Sequence, residues 1–336
     1  MKLYVSGQNG FIARNLKVTL ELWGHEVVTD NELFYHLDHE GKTLATVPKT
    51  GEACVHRNSE DAWTKAFYDN DIDVVVHNAA VVGTDVVALN PAEAVLSNVQ
   101  GTHNIVRAAN RAGAAVCYLG TTVIYDTAKY QDEPITELSD KRPRTYYGMQ
   151  KLAGEQIVME MANKWTVVRP LFAFGGDGDM NSLIAKSIYT GLTGKTVDMF
   201  LDPGKVKDYL HVDDFCKAVE LVCSDISGPG WGTDWNVAAE TPLPAGEIIK
   251  ELQKVMGTTV EHLLKWKAST DYLGNHRLSA EKLRTKLGWK PTLDLTSGIQ
   301  ETLAWIRTAS GYNPLKHLEE AAARGTDLLQ HFPKSK

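Results

Sequence analysis

Leu3-Tyr4-Val5-Ser6-Gly7-Gln8-Asn9-Gly10-Phe11-Ile12-Ala13 is the stretch on which the reading of the fold turns. Leu3 to Ser6 read as a buried strand, the glycines as a tight turn, and the residues from Phe11 to about Trp23 as a helix. Gly7 permits the turn, Gly10 lets backbone approach a pyrophosphate, and Ala13 is small enough for helix to pack on strand. The helix start offers N–H groups and a positive dipole end to phosphates. Strand, glycine turn and helix in this order predict nucleotide binding.

Working outward, Gly24-His25 ends the helix and Glu26–Thr29 is a second strand, with Asp30-Asn31 at its end. A carboxylate about 20 residues past the glycines accepts hydrogen bonds from ribose hydroxyls and repels a 2′-phosphate, which favours NAD over NADP. Residues 31–52 are loop-like, Ala53–His56 is a candidate strand, and Glu60–Asp69 a helix. Ile72–His77 is a buried strand ending in Asn78-Ala79-Ala80, whose small side chains admit a ligand. Asn90-Pro91 opens a long helix over 92–112, with Asn98 and Gly101 inside it. Strands at Ala114–Leu119 and Thr166–Arg169 flank a further helix. This alternation predicts an α/β fold, a doubly wound parallel sheet of the Rossmann type, with ligands at the C-terminal strand ends.

The helix between those two strands opens with Thr145-Tyr146-Tyr147-Gly148-Met149-Gln150-Lys151, and Thr145 is its expected N-cap. Tyr147 and Lys151 stand four apart and share a face. A free phenol has a pKa of about 10 and is a poor base near neutral pH. A nearby ammonium favours the phenolate, so the pair is a candidate proton-transfer unit. Tyr146, out of step with Lys151, is expected to pack.

The 336 residues are 43% hydrophobic and 23% charged, with a net charge of −7 and no dense basic run. That is the composition of a globular protein and argues against a nucleic-acid partner. Cys54, Cys117, Cys216 and Cys223 form no CxxC pair, so neither a disulfide framework nor a structural zinc is expected. Met1-Lys2 runs straight into a strand pattern and no apolar run approaches the roughly 20 residues of a membrane helix, so a cytoplasmic protein without signal peptide or membrane partner is expected.

With these motifs in order, the sequence resembles the extended short-chain dehydrogenase/reductase family over about residues 1–310, in its NAD-dependent epimerase/dehydratase group of the UDP-glucose 4-epimerase type. The resemblance rests on the glycine turn, Asp30-Asn31, Val74–Ala80, Asn98-Val99-Gln100-Gly101-Thr102, Thr121 four before Tyr125, Tyr147–Lys151, Arg169-Pro170, Asp208–Asp214 and Leu287–Pro291. It implies hydride chemistry with NAD held by Gly7, Gly10, Phe11, Ile12, Asp30, Asn31, Ala79, Ala80, Asn98, Tyr147, Lys151 and Pro170. It implies that Tyr147 exchanges a proton with the substrate, that Lys151 lowers its pKa and holds the nicotinamide ribose, and that Thr121 bonds the substrate oxygen.

Departures from the family narrow the activity. Its dehydratases carry an acid two residues before the strand-end tyrosine, where this chain has Val123, and its GDP-fucose synthases carry a cysteine there. Val55 stands where an Asp often touches adenine. Phe172 and Lys207 stand where nucleotide-sugar enzymes have Asn and Arg, and Lys lacks the bidentate fork. Substrate contacts are expected from Thr121, Tyr147, Phe172, Asn181, Lys207, His211 and Arg277; Lys205, Lys207, His211, His276 and Arg277 read either as a phosphate-facing basic set or as scattered surface charge, and His211 reads also as packing around the helix start at Asp213-Asp214. Residues 171–176 read as loop and Asn181–Tyr189 as a helix. Asp213-Asp214 read as an N-cap and first-turn acid, with no metal ligation expected.

The expected division is a cofactor domain at 1–170 with contributions from about 205–240, a substrate-binding lobe at 171–310, and a helical extension at 311–336. The expected activity is an NAD-dependent epimerase of a sugar, nucleotide-linked, working through a keto intermediate. The alternatives are an NAD(P)-dependent ketoreductase or dehydrogenase and a non-catalytic dinucleotide sensor. Val95, Val99, Ile105, Val106, Ile157, Val158 and Met161 serve either the core or a homodimer interface.

Overall fold

The computed structural model describes residues 1–30, 60–176, 182–199, 201–267 and 274–308. The first strands are β1 (Lys2–Val5), β2 (Glu26–Thr29), β3 (Val74–His77), β4 (Ala115–Leu119) and β5 (Trp165–Pro170). After them come β6 (Phe172–Phe174), β7 (Val197–Met199), β8 (Val206–Lys207), β9 (Tyr209–His211), β10 (Thr233–Val237), β11 (Leu243–Pro244) and β12 (Leu264–Trp266). Six of these form one parallel sheet in the order β10-β5-β4-β3-β1-β2. β3 is Val-Val-Val-His with every residue buried, the pattern of a central strand covered on both faces.

Helices α1 (Phe11–Leu22), α2 (Glu60–Asp69), α3 (Thr84–Leu89), α4 (Pro91–Val95), α5 (Gly101–Ala112) and α6 (Tyr146–Met161) belong to the first half. Then follow α7 (Leu183–Thr193), α8 (Val212–Cys223), α9 (Ala245–Met256), α10 (Glu281–Leu287) and α11 (Leu295–Thr308). Successive residues of a strand point to opposite faces, so Leu3 and Val5 pack with Leu16, Leu20, Phe215 and Val219 of α1 and α8. Tyr4 points the other way, to Trp63, Phe67, Ile105 and Val106 of α2 and α5. A separate core gathers Phe174, Leu183, Ile188, Tyr209, Ile248 and Ile299 beyond the sheet. Short pairs β6–β9, β7–β12 and β8–β11 accompany it.

Three local expectations are corrected. The single helix over 92–112 is α4, then a π turn at Leu96–Gln100, then α5. The wider turn centres on Asn98, whose side chain is drawn out of the helix to Val81 N–H (2.7 Å), Val81 C=O (2.9 Å) and Gln150 (2.9 Å). Residues 171–176 are not all loop, because β6 pairs in parallel with β9. The N-cap of α8 is His211, which accepts from Asp213 N–H at 3.4 Å, and Asp213 and Asp214 are first-turn residues. Asp214 is fully buried and accepts from the N–H groups of Thr292 (2.8 Å) and Leu293 (2.9 Å), tying α8 to the chain after α10.

Cys117, Cys216 and Cys223 are buried free thiols. No described helix is long and apolar enough to cross a membrane. Cys54, the candidate strand Ala53–His56, Val55 and the extension at 311–336 lie outside the described residues.

Candidate functional site

The glycine turn is built as the sequence predicts. Gly7 has φ of +74°, and a Cβ on it would stand 2.9 Å from the Ala79 Cα. Residue 7 is therefore held to glycine twice, by backbone conformation and by the approach of the β3 end. Gly10 N–H closes the turn on Gly7 C=O at 2.8 Å, and Gly10 stands at the N-cap of α1. No side chain caps α1 and its first turn carries no acid, so Phe11, Ile12 and their neighbours present N–H groups suited to a pyrophosphate.

Asp30 closes over this turn. Its carboxylate accepts from Gly7 N–H (2.9 Å), Gln8 N–H (3.2 Å) and the Tyr4 hydroxyl. Burial raises its pKa against the pull of those three bonds. The carboxylate thus buttresses the glycine turn as well as standing where a ribose is expected. Asn31 lies outside the described residues.

A buried chain of hydrogen bonds that the sequence reading missed fixes the neighbouring strand end. The Ser6 hydroxyl accepts from Asn78 N–H (3.0 Å) and Ala79 N–H (2.9 Å), and it faces His77 Nδ1 at 3.0 Å. With both Ser6 lone pairs taken, its proton goes to Nδ1, which leaves the His77 proton on Nε2. Nε2 donates to Thr102 Oγ1 at 3.0 Å, and Thr102 donates to Asn98 C=O at 2.8 Å. Burial, with help from the charge of Lys151, holds the His77 pKa down at about 3. The neutral ring is a strut that sets Ala79 beside Gly7. The one signal for it in the sequence was a polar residue ending an all-valine strand.

At the end of β4, Thr121 caps a one-turn 3₁₀ helix at Thr122–Ile124, its hydroxyl 3.5 Å from Val123 N–H. Thr145 caps α6 as expected, accepting from Gly148 N–H at 3.0 Å. A Cβ on Gly148 would come within 2.8 Å of Val123 O and 2.9 Å of Pro143 Cβ. Glycine here lets the first turn of α6 press on the 3₁₀ turn, which sets the Tyr147 hydroxyl by that of Thr121, near enough to draw the phenol's pKa down. Tyr146, expected to pack, is 58% exposed.

The expected effect of Lys151 on Tyr147 is corrected. Burial pushes the Tyr147 phenol up to about 12, and the Thr121 hydrogen bond only partly opposes this. Burial also brings Lys151 down to about 7, against the pull of the Glu155 charge. The Lys151 ammonium, 3% exposed, donates to Leu119 C=O at 2.7 Å and lies 4.1 Å from the centroid of the Tyr118 ring. It points along the strand end, where a ribose hydroxyl is expected, and leaves the phenol neutral at pH 7.

Beneath the site sits a buried ion network centred on Arg169. Its Nε and Nη2 reach both oxygens of Glu155 at 2.9 and 2.5 Å, Nη2 also meets Asp234 at 2.6 Å, and Nη1 donates to the Tyr125 hydroxyl at 2.8 Å. Tyr125 in turn donates to Asn236 at 2.8 Å. Burial works to lower the Arg169 pKa, and the Glu155 bonds and surrounding charges more than reverse it. The network ties α6, β5 and β10 together one residue before Pro170, which ends β5 half-buried.

The substrate-side residues come together only in part. Lys207 is buried, donates to Gly274 C=O at 3.2 Å and holds its ammonium 5.3 Å from the Phe172 centroid. The Phe172 ring meets His276 edge-on at 5.1 Å. Burial and the Lys207 charge bring His276 down to about 3, so it adds no positive charge to the candidate basic set. His211 belongs to the start of α8, as its place before Asp213-Asp214 suggests, edge-on to Phe174 at 5.3 Å. Its ring, Asp213 and Glu301 place candidate donor atoms within 4.8 Å of one another, a proximity the sequence did not disclose. Arg277 is half-buried, and Asn181 lies outside the described residues.

Residues 3–238 match the model of the NAD dependent epimerase/dehydratase family. The chain is 26% identical to a dTDP-glucose 4,6-dehydratase of Mycolicibacterium smegmatis, over 96% of this chain and 98% of that one. Among solved structures it is similar to the UDP-glucose 4-epimerase of Thermotoga maritima with UDP-glucose, with a TM-score of 0.78, 21% identity and coverage of 92% and 99%. It is also similar to the dTDP-glucose 4,6-dehydratase DesIV of Streptomyces venezuelae with NAD bound, with a TM-score of 0.76, 22% identity and coverage of 94% and 100%. With more than half its length matched by the family model, and the glycine turn and Thr-Tyr-Lys group assembled, the chain belongs to the NAD-dependent epimerase/dehydratase family.

Proposed function

We propose that this chain is an NAD-dependent epimerase of a nucleotide-linked sugar. The observation that carries the reading is the meeting of Thr121 and Tyr147 at the end of β4, with Lys151 behind them and the carboxyl-free Val123 beside them. The glycine turn, the uncapped α1 and Asp30 would hold the adenine half of NAD, with Ala79, Ala80, Asn98 and Pro170 lining its path and Lys151 on the nicotinamide ribose. When bound, NAD supplies a hydride acceptor that can also return the hydride. Thr121 donates to the reacting oxygen of the sugar and holds it against Tyr147. For the oxidation Tyr147 must first release its own proton to solvent; as the phenolate it takes the hydroxyl proton as the carbon is oxidised, and it gives that proton back when the ketone is reduced. Val123 offers no carboxyl group for eliminating water, so a keto sugar formed here keeps its C6 hydroxyl, unlike the product of the dehydratases the chain resembles.

The neutral resting phenol also suits the alternative of net ketone reduction, in which Tyr147 acts first as an acid. A dinucleotide sensor has no need of the assembled Thr121, Tyr147 and Lys151. The second core around Phe174 and Ile248 supports a sugar-binding lobe at 171–310, with Phe172, Lys207 and Arg277 on its cofactor side and residues 1–170 with 205–240 as the cofactor domain. A homodimer is supported by an apolar hollow of about 430 Å³ between α4 and α6, where Val95 (44%), Tyr146 (58%) and Met149 (51%) are exposed. Ile105, Val106 and Val158 face the core instead. The composition fits a cytoplasmic enzyme.

The test is to incubate the protein and NAD with UDP- and dTDP-hexoses and follow the sugar by proton NMR. Epimerisation without net NADH supports the reading, stoichiometric NADH change selects the reductase, and loss of water from C6 refutes the role given to Val123. Tyr147→Phe is expected to lower turnover by about 10²–10⁴-fold. Full turnover in that variant would remove Tyr147 from the chemistry.

A further inference from the structure

Lys151 carries its charge in an unusual setting. Glu155, one turn along α6, gives both carboxylate oxygens to Arg169. What meets the ammonium directly is the Leu119 carbonyl and the face of Tyr118, a residue of β4 whose ring centroid is 4.1 Å from Nζ. The Tyr118 ring is pinned at its far end. Its hydroxyl donates to the Lys151 carbonyl oxygen at 3.4 Å. Its flank lies against the His77 ring at 5.7 Å between centroids. A Cβ on residue 154 would stand 2.5 Å from the Tyr118 hydroxyl oxygen and 3.1 Å from ring carbon Cζ, so the ring fits under α6 only because residue 154 is glycine.

We propose that Tyr118 is a positioning residue for Lys151, and that its ring face, lodged in the notch made by Gly154, holds the ammonium charged and aimed along the end of β4. The inference rests on the reading of Lys151 as part of the reaction site. Physically, an aromatic face attracts a cation through its quadrupole, and the attraction grows when water is excluded, as it is here. The groups that face Lys151 support the assignment. Glu155 and Tyr147 on its own helix are a carboxylate committed to Arg169 and a neutral phenol. His77 on β3 is neutral and adds no repulsion. Arg169 on β5 is covered by Glu155 and Asp234. Burial alone favours the neutral amine, so a modest cation–π attraction decides how much of Lys151 is charged at neutral pH.

The experiment is an NMR titration of the Lys151 side chain in protein carrying ¹³Cε-labelled lysine, assigned by the missing signal in Lys151→Met. It needs no substrate, so it succeeds or fails independently of the proposed activity. Tyr118→Leu keeps the site apolar but removes the ring, and it is expected to lower the midpoint by about one pH unit, a tenfold loss of proton affinity. Tyr118→Phe keeps the face and is expected to titrate within a few tenths of wild type. Gly154→Ala is expected to displace the ring and lower the midpoint, and combining it with Tyr118→Phe, which removes the closest clashing atom, is expected to recover most of the loss. The pH profile of turnover is expected to move with the midpoint in each variant. Should Tyr118→Leu fail to fold, the Gly154→Ala pair carries the same test. A wild-type midpoint in Tyr118→Leu, a Phe variant that falls as far as Leu, or a Gly154→Ala loss that Phe leaves unrelieved overturns the proposal.

Discussion

Replacing Lys151 with Met is expected to abolish turnover and to stabilise the protein without nucleotide. The unfolded chain keeps a lysine protonated up to its ordinary pKa of 10.5, whereas the folded chain releases the proton above about 7. The folded state therefore binds fewer protons between those values, so stability rises with pH across that window and the penalty is fully present below about 7. At about 1.4 kcal/mol per pH unit the ceiling is about 5 kcal/mol. Met has a similar length and carries no charge, so it removes the penalty. It also leaves the Leu119 carbonyl without its 2.7 Å donor, which returns about 1–3 kcal/mol. The net expectation is a gain of about 2–4 kcal/mol at pH 6–7 that shrinks toward pH 10. Urea unfolding followed by circular dichroism at pH 6, 7.5 and 9 measures it. A Met variant less stable than wild type at pH 6, or a difference that does not narrow as pH rises, refutes the claim that a functional charge is held here against the interests of the fold.

Three further outcomes follow from the same geometry. Glu155→Gln leaves the buried Arg169 with Asp234 as its only carboxylate partner among the described residues, and a loss of about 3 kcal/mol in urea unfolding is expected; a loss under about 1 kcal/mol would show that Asp234 suffices. Gly7→Ala meets both a positive φ and Ala79 Cα at 2.9 Å, while Gly24→Ala meets a positive φ with nothing within 4 Å, so calorimetry should find NAD binding weakened at least tenfold by the first and little changed by the second. Asp208 is fully buried, and burial lifts its carboxyl to about 7 against two backbone hydrogen bonds from Glu240 and Thr241. Its contribution to stability is therefore whole below about pH 4 and lost as pH rises through 7; Asp208→Asn, whose amide nitrogen cannot accept from one of the two N–H groups, is expected to be about 1–3 kcal/mol less stable than wild type at pH 4, a deficit that shrinks or reverses at pH 8, as thermal unfolding at the two pH values would reveal.

The glycine turn was legible because its determinants are local: Gly7, Gly10 and a small Ala79 each answer a backbone contact within one β-turn-α unit. The Tyr147–Lys151 pair was legible as a position, since helical spacing fixes which face two residues share. The π turn at Leu96–Gln100 was not, because one extra residue in a helical turn barely alters an apolar pattern, and its cause is Asn98 reaching Val81 and Gln150 far away in sequence. The His77 strut escaped for the same reason, since Ser6, His77 and Thr102 meet only when β1, β3 and α5 are assembled. Ile105, Val106 and Val158 read equally well as core or interface, and only packing decides that they are core.

What sequence could least supply was the charge state of the proton-transfer pair. Spacing alone suggests that the ammonium of Lys151 draws the Tyr147 phenol down. In the folded chain Lys151 is buried and Tyr147 half-buried, and the loss of water around each favours its uncharged form, so the phenol rises to about 12 as the amine falls to about 7. The amine is moreover directed away, to a carbonyl and an aromatic face supplied by β4, about 30 residues earlier in the chain. The resting site is therefore set to donate a proton to a ketone oxygen more readily than to take one from an alcohol. Running in both directions, as an epimerase must, requires the reverse transfer as well, and the groups near Tyr147 that can assist it are Thr121, which already favours the phenolate, and whatever fraction of Lys151 remains charged. The chemistry is thus governed less by the identity of the Tyr-Lys pair than by the strand it is pressed against.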